Sequence, residues 1–325
     1  MSVTLEDYSS PWAEKINANC KNKDFYLATL KAYPSGCVVT EGYRPLAEGI
    51  ANFDVREDDI WVVTYPKCGT TWTQEMVWLI ANNCDFEGAR KVLLNERFPF
   101  IEFGMITADT GIEGDTFATA KNMQPPRFIK SHLPKGLLPK ELWTKKPKIV
   151  YVSRDPKDVA LSFYHHYKLM NGYKGSVEDY LEAFMNDALV YSPFWGHILD
   201  FWKLRHEPNV LFNTYEEMKQ DLPSVIRRTA RFLGRSLTEE QVAALTDHLS
   251  FAKMRENYSV NKEEGMTILR QMNGLPDSHR FIRQGSSGGW RKEMTEAMAL
   301  RFDKWTEEAT TGTGYKVGVS GHKNF

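Results

Sequence analysis

Apolar, β-branched runs alternate along this chain with stretches whose apolar residues recur at helical spacing. Residues 60–65 and 148–153 are the clearest of these runs, and residues 127–130 and 209–213 form two shorter ones. Short continuous apolar runs are typical of strands that are buried on both faces, and strands that alternate with helices form parallel sheets. The pattern therefore predicts an α/β fold in which a central, mainly parallel sheet is flanked by helices.

Helix signals follow the two clearest strands. One helix is predicted from about Thr71 to Asn83. Asp155 and Pro156 supply an N-cap and a first-turn proline for a second helix that runs to about Met170. Helix-start residues and a terminal glycine predict three more helices. The first begins at Ser192–Pro193 and ends near Arg205, the second spans Leu222 to Leu233, and the third begins at Thr238.

Residues 257–289 and the tail from residue 310 carry no regular pattern. A segment of about 30 residues without regular structure inside a compact domain is usually a functional lid or a disordered region. We therefore predict a lid or cofactor loop at 257–289. No repeat or Gly/Ser-rich linker interrupts the chain, so residues 1–325 are predicted to form one domain.

The composition excludes several classes of protein. Lys and Arg number 41 and Asp and Glu 42, so the formal net charge is −1, which argues against nucleic acid as a partner. Hydrophobic residues make up 42% and aromatic residues 13%, which argues against disorder. The chain starts polar and has no apolar run near the ~18 residues of a membrane span, so we expect a soluble cytoplasmic protein with no membrane contact. The cysteines form no C-x-x-C pair, so neither a zinc knuckle nor a redox motif is expected; they are Cys20, Cys37, Cys68 and Cys84.

Positive charge is concentrated in one segment. Residues 127–157 contain nine basic and two acidic residues, a balance of +7 in a chain whose remainder is therefore −8. A solvated charged surface is the ordinary explanation for such a run. Because Lys130, His132 and Arg154 fall within it, the segment is also predicted to line a local basic cleft, while the lysines between 140 and 148 are expected to be solvated.

A candidate phosphate site lies between the first strand and its helix, at residues 64–72, which read T-Y-P-K-C-G-T-T-W. A helix N-terminus presents unpaired backbone N–H groups, and Gly69 lets an anion approach the backbone closely. Lys67 adds a full charge, and Thr70 and Thr71 add hydroxyl donors. The loop is P-loop-like, but it is not a Walker A motif, because Lys67 precedes the glycine. A plain strand-to-helix turn with a capping threonine is the structural alternative.

This loop resembles the 5′-phosphosulfate loop of the cytosolic sulfotransferases, T-Y-P-K-S/A-G-T-T-W, with Cys68 as the one departure. The resemblance extends over about residues 25–305. It implies a P-loop-like site for 3′-phosphoadenosine 5′-phosphosulfate, from which 3′-phosphoadenosine 5′-phosphate would be released. The loop residues that it assigns to the cofactor are Lys67, Cys68, Gly69, Thr70, Thr71 and Trp72.

Two further segments resemble nucleotide-binding elements of the same family. Residues 151–166 follow the pattern Y-V-x-R-N-x-K-D-x-x-x-S-x-Y/F-x-F, which implies that Arg154 and Ser162 hold the 3′-phosphate. Residues 283–291 follow R-K-G-x-x-G-D-W-K, which implies the same for Arg283, Gln284 and Gly285. Here Gln replaces Lys at 284 and Gly replaces Asp at 289, so weaker cofactor affinity is our hypothesis.

The family resemblance also implies residues for the adenine. Trp72 and Phe251 would stack on the base and Tyr215 would lie along it. Ser250 and Met254 fall in a matching S-F-x-x-M stretch. For any one of these aromatic residues, packing in the core is the alternative role.

The segment 127–134 matches the family's K-x-H-L-P pattern. A histidine suits deprotonation of an acceptor hydroxyl, and lysines suit stabilisation of a departing phosphate oxygen. His132 is therefore assigned as general base, with Lys67 and Lys130 at the leaving group. His165 and His166 are predicted to lie on a helix face, and no metal is expected.

The acceptor site has fewer signals. Phe100 lies in a segment like the family's R-x-P-F/W-x-E, which implies an apolar slot for a phenol or alcohol, and Phe25 and Tyr26 are weaker candidates. The family's dimer motif, K-x-x-x-T-V-x-x-x-E, is changed here at Glu296 and Leu300. A monomer, or a dimer formed elsewhere, is therefore expected.

The resulting hypothesis is a sulfotransferase that sulfonates a hydroxyl of a small apolar acceptor such as a phenol, alcohol, sterol, catecholamine or retinoid, in line and without a metal. Three alternatives stay open. A dehydratase could act through a transient sulfate ester, a nucleotide-binding module could hold the cofactor without turnover, and a P-loop kinase would need a different lysine position.

Overall fold

The computed structural model describes residues 3–107 and 114–321 of the chain. Its strands form two sheets. A three-stranded antiparallel sheet has the order β1-β2-β3, and a four-stranded parallel sheet has the order β5-β4-β6-β7. The strands are β1 Thr4–Asp7, β2 Leu30–Tyr33, β3 Cys37–Val39, β4 Ile60–Val63, β5 Phe128–Ser131, β6 Lys148–Ser153 and β7 Val210–Thr214.

Helices cover both faces of the parallel sheet and confirm the predicted α/β class. They are α1 Pro11–Ala18, α2 Ala47–Ala51, α3 Thr70–Ala81, α4 Phe86–Lys91, α5 Leu94–Arg97, α6 Phe103–Thr107, α7 Thr116–Asn122, α8 Leu142–Lys145, α9 Pro156–Asn171, α10 Val177–Met185, α11 Phe194–Lys203, α12 Tyr215–Gln220, α13 Leu222–Leu233, α14 Glu239–His248, α15 Phe251–Glu256, α16 Tyr258–Asn261, α17 Glu263–Asn273 and α18 Glu296–Thr310.

Side chains of the parallel sheet alternate between two apolar cores. Along β4, Trp61 and Val63 belong to one core, while Ile60 and Val62 belong to the other. All four are buried, as expected for a strand covered on both faces. The continuous apolar run in the sequence therefore corresponds to a strand that is buried on both faces.

The position of β4 determines where the functional segments meet. It pairs in parallel with β5 on one side and β6 on the other, so that Val63 lies level with both Ser131 and Tyr151. The chain leaves all three strands at the same edge of the sheet. In open α/β sheets, ligands bind at such a topological switch point, outside the carboxyl ends of the strands.

Two parts of the fold differ from expectation. The stretch 257–289, predicted to be irregular, contains α16 and α17, so that prediction is wrong for its first half. Ile268 and Met272 on α17 are 58% and 54% exposed and lie along the cavity described below, so the apolar residues of this helix do not form one buried stripe. The N-terminal antiparallel sheet was not predicted, because its strands have only three or four residues.

The other predicted helices have the observed bounds to within a few residues. The irregular tail begins after α18 as predicted, and its last residues, 322–325, lie outside the described part of the chain. No helix in the described residues is long and apolar enough to cross a membrane.

Arg127, counted above in the basic segment, has a structural role instead. Its Nε and Nη2 atoms donate to the two carboxylate oxygens of Asp59, each at 2.7 Å, and both side chains are almost fully buried. The guanidinium also lies over the ring of Phe53, with its carbon 4.8 Å from the ring centre. The pair ties the start of β4 to that of β5, away from the carboxyl ends.

We expect Arg127→Ala to lower the free energy of unfolding by about 3–5 kcal/mol, because it leaves the Asp59 carboxylate buried without a partner. Urea denaturation followed by circular dichroism measures this change. Lys91→Ala, which breaks the exposed pair with Glu87, is the control and should leave the midpoint unchanged. A loss under about 1 kcal/mol for Arg127→Ala would contradict the assigned role.

Candidate active site

The segments that follow β4, β5 and β6 line one cavity of about 820 Å³. Its walls also include parts of α9, of α17 and of the segment after α17. The predicted site residues that the cavity brings together are Phe25, Lys67, Gly69, Thr70, Thr71, Trp72, Phe100, Lys130, His132, Arg154, Ser162, Tyr215, Phe251, Met254, Arg283, Gln284 and Gly285.

Two predicted cofactor residues lie outside the cavity wall. Cys68 is fully buried beneath the loop, and burial raises the pKa of its thiol, so the thiol stays neutral. Ser250 caps α15, where its hydroxyl accepts a hydrogen bond from the backbone N–H of Lys253 at 3.4 Å. A direct contact of either side chain with a nucleotide stays a prediction, and the position of both side chains outside the cavity wall does not support it.

The loop at 64–72 has an unusual backbone. Lys67 and Gly69 have φ angles of 69° and 102°, in the left-handed region that side chains rarely adopt. Gly69 is the N-cap of α3 and provides no side-chain cap, so the first N–H groups of α3 are left for another acceptor. A Cβ at Gly69 would approach the ring of Tyr215 to 2.8 Å, so only glycine fits this position.

Four cations converge at this loop. The half-buried Lys67 ammonium lies 4.6 Å from the ring centre of Phe281. Burial, and then the charges of Arg154, Arg283 and Lys262, lower the pKa of Lys67 to about 7. Positive charge is therefore in excess here, and a bound anion would relieve it.

Arg154 joins the loop to the segment after α17. Its guanidinium donates to the carbonyl of Lys67 at 3.0 Å and to that of Ser286 at 2.9 Å, and it stacks on Tyr215, with the guanidinium carbon 4.1 Å from the ring centre. Its Nε–H is buried and has no partner within the described residues. An acceptor oxygen on a ligand would complete this hydrogen bonding.

Aromatic residues surround the next part of the cavity. The Trp72 indole donates to the carbonyl of Leu249 at 2.8 Å, and its ring centre lies 5.6 Å from that of Tyr215. A Cβ at Gly285, whose φ is 58°, would lie 2.1 Å from the ring of Phe251. The glycine therefore allows the third predicted element to pack on this ring.

His132 lies at the end of β5 and is buried. Its Nδ1 lies 2.8 Å from the carbonyl oxygen of Thr64. Since a carbonyl can only accept, Nδ1 carries the proton and Nε2 carries the lone pair. Burial, followed by the charge of Lys130, lowers the pKa of His132 well below its ordinary value. The imidazole is thus a neutral base.

Neighbouring groups fix the position of His132. Glu102 is buried and accepts a hydrogen bond from the backbone N–H of His132, and His197 donates from Nε2 to the carbonyl of His132 at 3.0 Å. The rings of Phe100 and Tyr191 contact the imidazole edge to face. Lys130 lies beside it, with its ammonium 3.8 Å from the ring centre of Phe100.

Beyond His132 the cavity wall is mostly apolar. Phe25, Phe103, Ile106 and Met170 line it together with Phe100. Apolar walls with a few polar groups are the ordinary form of small-molecule sites. The predicted acceptor residues Phe25 and Phe100 thus both line this cavity.

Sequence reasoning missed one histidine and overestimated the basic segment. His166 was predicted to lie on a helix face, but it is buried and lines the cavity. Lys157, like Arg127, is paired with a carboxylate, that of Asp303. Of the basic residues in 127–157, Lys130 and Arg154 line the cavity. Lys145 and Lys146 make partly exposed ion pairs, consistent with the predicted solvated surface, but Lys148 is half-buried and donates to the carbonyl of Phe232 at 2.6 Å.

Within the described residues, no group of three or more His, Cys, Asp or Glu side chains is arranged to hold a metal ion.

Comparison with known proteins assigns the family. A profile described as the sulfotransferase domain matches residues 57–314. The chain belongs to the sulfotransferase family. Luciferin sulfotransferase of Photinus pyralis is 40% identical over 84% of this chain and 77% of its own length. Sulfotransferase 1 family member D1 of Rattus norvegicus is 36% identical over 80% of this chain and 88% of its own length.

Solved structures of this family share the fold. A retinol dehydratase in a complex with retinol and PAP (3′-phosphoadenosine 5′-phosphate) has a TM-score of 0.86 and is 30% identical. The match covers 97% of this chain and 99% of the retinol dehydratase chain. The predicted enzyme class, transfer of a sulfuryl group to a small acceptor, is confirmed by the family match and the named relatives.

We expect the Cε1–H resonance of His132 to show no titration step near pH 6.5, because its pKa lies well below that ordinary value. Proton–carbon correlation spectra of imidazole-labelled protein measure this, and the spectrum of His132→Asn assigns the signal. A titration midpoint at or above 6.5 would contradict the neutral state of this base.

Proposed function

We propose that this sulfotransferase uses 3′-phosphoadenosine 5′-phosphosulfate as its donor and sulfonates a hydroxyl group of a small, mostly apolar acceptor. The observation that carries the proposal is the placement of a neutral His132, Lys67 and Lys130 in one cavity, beside the uncapped N-terminus of α3. A base for the acceptor and cations for the leaving group are the two requirements of sulfuryl transfer.

The residues present fit such a donor. The excess positive charge around Lys67 and the unpartnered Nε–H of Arg154 call for anionic oxygens. Because Gly69 and Gly285 lack a Cβ, the backbone can lie close to the rings of Tyr215 and Phe251. The retinol dehydratase and other solved relatives were crystallised with PAP, the product form of this donor.

We assign the donor's groups to three sets of residues. The amides of the loop, with Lys67, Thr70 and Thr71, would hold the 5′-phosphosulfate. Arg154, Ser162 and Arg283 would hold the 3′-phosphate, and Gln284 would add a weaker, uncharged contact. The adenine would lie among the aromatic residues Trp72, Tyr215 and Phe251, next to Met254.

When bound, the donor supplies a sulfuryl group joined to its 5′-phosphate through a bridging oxygen. His132 Nε2 takes the proton from the acceptor hydroxyl, so that the acceptor oxygen can form its bond to sulfur. The bond from sulfur to the bridging oxygen would break, and its electron pair would stay on the phosphate. Lys130 and the protonated form of Lys67 would stabilise that charge, and no metal is needed for this role.

The apolar wall beyond His132 supports phenols, alcohols, sterols and retinoids as acceptors. One related structure holds a retinol dehydratase with androsterone, and another holds it with retinol. That likeness also favours a second candidate, dehydration of an alcohol through a transient sulfate ester. Mass spectrometry of the product distinguishes a gained sulfuryl group from a lost water.

Location and assembly remain expectations from the resemblance. We propose a cytoplasmic protein that is a monomer, or a dimer formed without the usual motif. Thr295, at the position of that motif, caps α18 with its hydroxyl, and Leu300 is 63% exposed.

We expect His132→Ala to lower the sulfonation rate by about 10²–10⁴-fold, because it removes the base, and to leave PAP affinity within about threefold. Transfer of labelled sulfate measures the rate, and calorimetry measures PAP binding. His206→Ala, at an exposed position, is the matched control and should keep both the sulfonation rate and the PAP affinity of the unaltered protein. A His132→Ala enzyme with full activity would contradict the assigned base, and PAP binding without sulfonation by the unaltered protein would favour a module without turnover.

We expect PAP affinity to be highest between about pH 6 and pH 7 and to fall by up to about tenfold per pH unit above about 7. The pKa of Lys67 in the free protein is lowered to about 7, so above this value binding must first supply a proton to the amine. The phosphates of PAP titrate near pH 6 and are mostly ionised above pH 7, so they do not cause this decrease. Calorimetry across the range measures the profile.

Lys67→Arg is the control for this titration, because its guanidinium stays charged and the profile should become flat. Lys67→Met should also give a flat profile, with weaker binding throughout. The same pH dependence in all three proteins would assign the titration to another group.

A further inference from the structure

A polar pair interrupts the apolar wall of the cavity. His166 and Tyr26 both line the cavity and are 8% and 5% exposed. The Nε2 atom of His166 lies 3.1 Å from the hydroxyl of Tyr26, and the ring centres are 5.3 Å apart at an angle of 80°. In the family pattern given above, the position of His166 is a phenylalanine.

An imidazole is a poor replacement for a phenyl ring in a merely structural role. Its Nδ1 atom is buried and has no hydrogen-bond partner within the described residues. Burying a polar atom without a partner is unfavourable, whereas a phenyl ring would occupy this space at no such cost. The histidine is therefore explained better by an interaction of its other edge, which faces Tyr26 and the cavity.

The structure holds Tyr26 in a fixed position. Its φ of 41° is in the left-handed region, which is unfavourable for a tyrosine. The Tyr167 hydroxyl donates to the carbonyl of Tyr26 at 3.1 Å, and the amide of Asn171 donates to the carbonyl of Phe25. Both donors come from α9, the helix that carries His166. The pair is thus preorganised by one element.

The spacing along α9 places the pair between the donor and the apolar end of the cavity. Asp158, Ser162, His166 and Met170 recur every fourth residue and all line the cavity. At 1.5 Å per residue, His166 lies about 6 Å beyond Ser162 and about 6 Å before Met170 along the helix. The pair therefore faces the acceptor, one helical turn from the predicted 3′-phosphate contact.

His166 is neutral and lies in a positive field. Burial, followed by Lys67 and Lys130, lowers the pKa of His166 well below its ordinary value. The hydrogen bond has two possible directions. Either the Nε2–H of His166 donates to the Tyr26 oxygen and the phenol hydrogen points away from Nε2, or the Tyr26 hydroxyl donates to the lone pair of Nε2. The pair can thus present a donor or an acceptor to a ligand. A neutral hydroxyl or carbonyl suits this position, and an ammonium group does not.

We propose that Tyr26 and His166 determine acceptor specificity by hydrogen-bonding a second, neutral oxygen group of the acceptor. The preferred acceptors are then ring alcohols that carry another hydroxyl or carbonyl besides the hydroxyl that reacts. This inference rests on the proposed sulfotransferase function, which it deepens. It selects within the broad class of apolar acceptors and disfavours catecholamines.

The test compares naphthol with the isomers of dihydroxynaphthalene, which share one apolar frame and differ in the second hydroxyl. Binding to the PAP complex is measured by calorimetry, and sulfonation by labelled-sulfate transfer. We expect the unaltered protein to prefer at least one diol over naphthol by about tenfold or more in Kd and in kcat/KM, because the second hydroxyl can form a hydrogen bond with the pair and naphthol cannot.

The variants His166→Phe and Tyr26→Phe should each reduce this preference to about threefold or less and should keep PAP affinity. Lys168→Ala, on α9 but outside the cavity wall, is the matched control and should leave the ratio unchanged. Retained PAP binding shows that a variant has folded. A diol preference that survives in both phenylalanine variants, or its absence from the unaltered protein, overturns the inference.

Binding and turnover separate this inference from the proposed function. If the unaltered protein binds diols preferentially but forms no sulfate ester, the proposed function fails and the recognition pair stands. If it sulfonates naphthol and the diols equally well, the proposed function stands and the recognition pair fails.

Discussion

The parallel pairing of β4 with β5 and β6 is the constraint on which the site depends. Because the three strands end at one edge, the chain must place the residues that follow them side by side. The phosphate loop, His132 and Arg154 are far apart in sequence and share a cavity for this reason. The helix that follows β4 then adds its uncapped N-terminus to the same place.

The cations at this edge of the sheet repel one another, and aromatic rings pack against them and offset part of this repulsion. Lys67, Lys130 and Arg154 lie over Phe281, Phe100 and Tyr215, with distances to the ring centres of 4.6, 3.8 and 4.1 Å. A ring face attracts a cation without the full negative charge of a carboxylate. The cations thus remain attractive to an anion.

The basic residues with structural roles also lie over aromatic rings, but they have carboxylate partners as well. Arg127 and Lys157 lie over Phe53 and Trp290, and they are paired with the carboxylates of Asp59 and Asp303. Whether a cation has a carboxylate within hydrogen-bonding distance is decided by tertiary contacts. The basic segment could therefore be located from the sequence but not divided into its two kinds.

Local signals account for what the sequence could predict. The four strands of the parallel sheet follow from apolar runs, and α9 follows from the Asp155–Pro156 cap. The loop at 64–72 follows from a pattern within nine residues. The helix α17 and the role of His166 depend on the cavity that they face. A helix whose apolar residues line a ligand site looks irregular by periodicity, and a buried histidine on α9 looks like any helical residue until Tyr26 is seen beside it.

The stripe of every fourth residue on α9 has a consequence for how such enzymes diverge. Asp158 anchors its upper end, because its carboxylate accepts from the backbone N–H groups of Gly288 and Trp290 at 2.7 and 3.0 Å. About 18 Å further along the helix, Met170 faces the far end of the cavity. Since each turn contributes one side chain to a different depth, a single substitution can alter what the cavity accepts while the anchored end is untouched. New acceptor ranges are therefore accessible to evolution in small steps, one helical turn at a time.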